Sequence, residues 1–123
     1  MGDAESRYEA TVAPDGQIEA LVERGEHGSP RPIRPGSPEG LRILAAGHGV
    51  LYWFDDGRRL RDLPYARVLE AMRQEIHLTL HKLRHGELLD EPELVPVLRR
   101  LLTGLEATAA AFQEALSGLR TGA

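Results

Sequence analysis

Cysteine is absent from the 123 residues, so neither disulfides nor thiolate metal sites can form. Asparagine is absent too, and one lysine, Lys82, stands against fourteen arginines. That bias fits a GC-rich coding sequence or pressure against thermolabile residues at high temperature. No apolar run approaches the roughly 20 residues of a membrane span, and no secretory leader opens the chain. The expectation is a cytoplasmic protein with no membrane association.

Apolar residues make up 41% of the chain and charged residues 28%, a globular balance, and the length suits a single domain, 1–123. The formal charge of −4 is mild but unevenly spread. Residues 1–30 carry seven acids against Arg7 and Arg24, residues 31–85 ten bases against six acids, and residues 86–123 six acids against three bases. A polyanion would therefore meet the middle of the chain.

Residues 1–25 read as a loose end followed by a β-hairpin. Tyr8, Ala10 and Val12 alternate with Glu9 and Thr11, Ala13-Pro14-Asp15-Gly16 forms a turn, and Ile18, Ala20 and Val22 alternate again. Residues 26–40 contain four prolines and three glycines, which excludes a helix or a central strand. The expectation is a surface loop or connector; the competing reading is an extended arm presenting Arg31, Ile33 and Arg34 to a partner.

Residues 41–61 read as a second strand pair. Leu41, Ile43 and Ala45 alternate with Arg42 and Leu44, Gly47-His48-Gly49 turns the chain, and Val50 to Phe54 is a strong strand. Asp55-Asp56-Gly57 closes a tight turn before a short return through Arg58 to Arg61. His48 is read as a turn side chain, because no nucleophile and orienting group are marked around it. Asp55 and Asp56 are read as turn formers rather than metal ligands.

A first helix is expected over residues 62–86, with Asp62 as N-cap, Pro64 in the first turn and Gly86 as the stop. Tyr65, Leu69, Met72, Ile76, Leu80 and Leu83 share one side, and Leu78 falls opposite. His77, His81 and His85 recur at steps of four, yet the stretch lacks HExxH and shows no further ligand, so no metal is expected. A second helix is expected over 90–120, with Asp90 and Glu93 as a capping box and a bend at Pro96 before the main helix from Val97.

The fold class that follows is α+β: a small antiparallel sheet of about four strands, then a long antiparallel helical hairpin. On the second helix Leu98, Leu101, Leu105, Thr108, Phe112 and Ala115 form a stripe. Thr108 is expected to bond back to a carbonyl one turn earlier. Gly104, Thr108, Ala111 and Ala115 make an edge of smaller residues that invites a close neighbour.

A stripe too broad for one partner helix, with no assembled polar site, points to a non-catalytic protein–protein interaction module: an adaptor, chaperone-like or regulatory subunit, dimerising through its helices or binding a protein partner. Its expected interface is Leu98, Leu101, Leu105, Thr108, Phe112, Ala115 and Leu78. The alternative is a nucleic-acid-binding regulator that contacts a polyanion through Arg42, Trp53, Arg58, Arg59 and Arg61. No cofactor, metal or catalytic residue is expected in either case.

Overall fold

Five strands and three helices build the chain, and the computed structural model describes residues 7–25, 28–84 and 93–121. Tyr8–Val12 is strand β1, and after the expected turn Ile18–Glu23 is β2. The turn closes by backbone bonds from Gly16 to Ala13 and from Ala13 to Gln17, while the Asp15 carboxylate accepts from the Gln17 amide at 3.2 Å. Arg31–Pro32 is β3, a two-residue strand against β2. Pro32 has no amide hydrogen to donate to a ladder, which suits its place at the sheet edge.

Residues 41–46 are not a strand. They belong to helix α1, Pro38–Ala46, capped by Ser37, whose hydroxyl oxygen accepts from the Gly40 amide at 3.0 Å. Pro38 occupies the first turn, where its missing donor does no harm, and Gly47 ends the helix in the left-handed conformation, φ 68°. The Pro/Gly-rich stretch 26–40 thus contributes both an edge strand and a helix start, against the expectation of a loop.

Val50–Phe54 is β4 and Arg59–Arg61 is β5, so the sheet has five strands rather than four, in the order β3-β2-β1-β4-β5. It is antiparallel except between β1 and β4, which pair in parallel from Tyr8↔Val50 to Val12↔Phe54. The crossover through β2, β3 and α1 makes that pairing possible, because parallel neighbours cannot be joined by a tight turn.

Tyr65–Arg84 is helix α2. Asp62 is not its cap. That residue lies at φ 57°, and its carboxylate accepts from the Gly49 amide at 2.9 Å, tying the start of β4 to the end of β5. Leu94–Thr121 is helix α3, unbroken through Pro96, which falls among the first amides that have no intrahelical acceptor. The expected stop at Gly86, the capping Asp90 and His85 lie outside the described residues. Alongside each other, α2 and α3 run in opposite directions: the Tyr65 ring meets Phe112 edge-on at 4.8 Å, and Arg73 lies 4.0 Å from Glu106. A two-helix hairpin is nonetheless not the helical layer, because α1 contacts both α2 and α3.

All three helices cover one face of the sheet. Ala10, Val12, Leu21, Val50, Tyr52 and Phe54 on that face share one core with Leu41 and Leu44 of α1, Val68, Leu69 and Met72 of α2, and Leu105 and Phe112 of α3. Burying each such leucine, valine or phenylalanine contributes about 1.5–3 kcal/mol before entropy opposes it. Leu51 and Trp53 point to the opposite face, outside that core.

Candidate functional site

The α3 stripe divides into two parts. Leu105 and Phe112 are interior, 1% and 6% exposed, and Ala115 packs against the same core. Thr108 does not bond within its own helix: its hydroxyl donates to the backbone carbonyl of Asp15 at 3.1 Å. The Tyr65 hydroxyl donates to the adjacent Gly16 carbonyl, so both helices hold the β1–β2 turn. Burial, and then the nearby Asp15 carboxylate, push the Tyr65 hydroxyl well above the ordinary tyrosine range.

Gly104 explains the small-residue edge at this level. A methyl group there would stand 3.0 Å from the Asp15 β-carbon, so the close neighbour is the chain's own hairpin turn. Beyond the turn the edge borders an apolar groove of about 570 Å³. Ala107, Ala111 and Ala115 form one wall, Leu41 and Leu44 of α1 the other, with Tyr65 and Phe112 between. Asp15 is the one carboxylate on its described lining, and most of that lining is apolar.

Leu98 and Leu101 are only half-buried and stand outside the core, as do Leu80 and Leu83 of α2. The core takes α2 no further than Ile76 and α3 no earlier than Leu105. From His77 on α2 and before Leu105 on α3 the helices therefore project past it. Leu78 is 55% exposed and Val97 46% exposed there, the two exposed large apolar side chains among the described residues. Val97 was not among the expected interface residues; its position four residues before Leu101 and seven before Gly104, on the same side of the helix, is the signal that could have found it.

Of the residues expected to contact a polyanion, Trp53, Arg59 and Arg61 share the sheet face turned away from the helices, and Arg42 lies elsewhere. Arg42 is exposed on α1, in the helical layer, while Arg59 and Arg61 pair with the Trp53 and Leu51 positions of β4 on the sheet. Arg58 is held by Asp56 at 2.7 Å and Glu75 at 2.9 Å, and its guanidinium lies 5.2 Å from the Phe54 ring centre. Arg59 lies over Trp53 at 4.9 Å, a cation–π contact on the ring that a base would have to use. Backbone and side-chain bonds from Arg58 hold the Asp56 carboxyl below the usual range, and Asp56 acts as a turn former.

His48 is exposed in its turn, and His77 and His81 stand exposed on α2. Among the described residues no three histidine or carboxylate side chains converge to hold a metal ion. None of the described helices is long and apolar enough to cross a membrane. No protein-family model matches the chain, and no curated protein or solved structure gives a match.

Proposed function

We propose that this chain is a non-catalytic interaction module that self-associates through the projecting parts of α2 and α3. The observation that carries the reading is the exposure of Leu78 and Val97 on helical segments beyond the core. Leu98 and Leu101 are also only half-buried, so these segments carry more apolar surface than two helices can cover on each other. A second copy related by a two-fold axis presents the same ends and closes them into a four-helix arrangement.

The segments are short, about 12–17 Å at 1.5 Å per residue, so the contact falls below the roughly 800 Å² per partner of a standard interface. A weak, concentration-dependent dimer is expected. Lys82, Arg84, Arg99 and Arg100 flank the surface, so like charges oppose pairing and added salt strengthens it. An acidic partner would show the opposite salt dependence.

Sedimentation equilibrium across concentration and salt tests the reading. The expected result is a monomer–dimer equilibrium that tightens with salt and is abolished in Leu78→Glu/Val97→Glu, with an unchanged thermal melt. A monomer at every concentration, or a dimer indifferent to the double substitution, refutes it.

A further inference from the structure

Between the projecting parts of α2 and α3 lies a cleft of about 590 Å³. Every ionisable side chain on its described lining is nitrogenous: His77, His81 and Arg84 from α2, and Arg99 from α3. Leu80 and Leu102 supply apolar surface between them. Some arginines of this fold meet carboxylates, Arg24 with Glu9, Arg31 with Glu23 and Glu39, Arg58 with Asp56 and Glu75, and Arg73 with Glu70. Among the described residues no carboxylate forms an ion pair with Arg84 or Arg99.

The cleft therefore carries two guanidinium groups on separate helices with no carboxylate on its described lining. An oxyanion entering it is attracted by both and can accept forked hydrogen bonds from them. The cleft is larger than a bare phosphate needs and falls within the size range of small-molecule sites. The leucines offer contact for a carbon body.

We infer that this cleft binds a small organic oxyanion, a phosphate monoester or carboxylate on an apolar body, with Arg84 and Arg99 holding the oxyanion. Oxyanion binding here does not require self-association.

Titration of the ¹⁵N-labelled full chain with phenyl phosphate, benzoate, inorganic phosphate and phenol decides the matter. Saturable shifts confined to residues 77–84 and 99–103 are expected, with phenyl phosphate binding at least tenfold more tightly than inorganic phosphate and phenol not binding. The order of phenyl phosphate and benzoate identifies the preferred oxyanion. Arg84→Gln and Arg99→Gln should each weaken binding at least tenfold with unchanged circular dichroism, whereas Leu78→Glu should retain it. Absence of saturable shifts, or shifts that survive Arg84→Gln/Arg99→Gln, overturns the site. Equal affinity for inorganic phosphate overturns the organic body.

Discussion

The Thr108 hydroxyl and the Asp15 carbonyl are 93 residues apart in sequence and 3.1 Å apart in the fold. This bond fastens the turn of the first hairpin to the middle of the last helix. Replacing Thr108 with valine keeps the shape and removes the donor. The expected loss is about 1 kcal/mol, read as a melting temperature lower by about 3–5 °C. Because Tyr65 holds the next residue of the same turn, Thr108→Val and Tyr65→Phe should combine to less than the sum of their separate effects.

Tyr52 presents the reverse case. It is 0% exposed, and its hydroxyl has no hydrogen-bond partner among the described residues. Burial, and then the neighbouring Tyr65, push that hydroxyl well above the ordinary tyrosine range. Tyr52→Phe removes an unsatisfied buried group while keeping the ring. It should stabilise the protein by about 1 kcal/mol in urea unfolding at unchanged m-value.

Gly47 and Gly57 both have positive φ, 68° and 89°, but differ in surroundings. A methyl group at Gly47 would stand 2.1 Å from the Leu63 carbonyl oxygen, whereas at Gly57 nothing lies within 4 Å. Gly57→Ala should therefore cost only the conformational penalty, about 1 kcal/mol. Gly47→Ala must also displace backbone and should cost about 3 kcal/mol or more, measured by equilibrium unfolding.

The two parts of α3 should respond differently to truncation. Leu105→Ala and Phe112→Ala each open the core and should cost about 2–5 kcal/mol. Leu98→Ala, on the projecting part, should cost less than about 1.5 kcal/mol in the monomer and weaken self-association instead. Denaturation at low protein concentration, set beside sedimentation, separates the two effects.

Arg31 bonds to Glu23 at 2.8 Å and to Glu39 at 2.6 Å, joining β3 to β2 and to α1. The hydrogen bond from Arg31 holds the Glu39 carboxyl below its ordinary value. A depressed folded-state value means that this contribution is present above the unfolded carboxylate range and is lost as pH falls through the folded value. Carboxyl ¹³C titration should place Glu39 below an ordinary glutamate, and Arg31→Gln should return it upward. The group is exposed, so the change in overall stability should be small.

Much of the fold was legible from local pattern. Alternation over Tyr8–Val12, the strand-forming residues of Val50–Phe54, the turns at Asp15-Gly16 and Asp56-Gly57, and the 3.6-residue stripes of α2 and α3 each mark an element of the fold, although α2 begins at Tyr65 rather than at 62. Leu41 to Ala46 was misread because a short apolar run fits either period. The signals that settle it were its neighbours, Ser37-Pro38 at the start and Gly47 at the end. Of the candidate site, the sequence exposed Leu78 as the odd residue on its helix but could not separate Leu105 and Phe112 from Leu98 and Leu101.

Backbone periodicity, caps and turn chemistry are properties of a few neighbouring residues, and the amino-acid order alone determined them. Which strands pair, and what lies against each helix face, depend on contacts between residues far apart in the chain. Tertiary structure alone therefore decided that β1 and β4 lie parallel, and that the stripe is core at Leu105 and Phe112 but only half-buried at Leu98 and Leu101. It also decided that Gly104 accommodates Asp15 of the same molecule. A glycine specifies that something comes close, and only the folded chain specifies what.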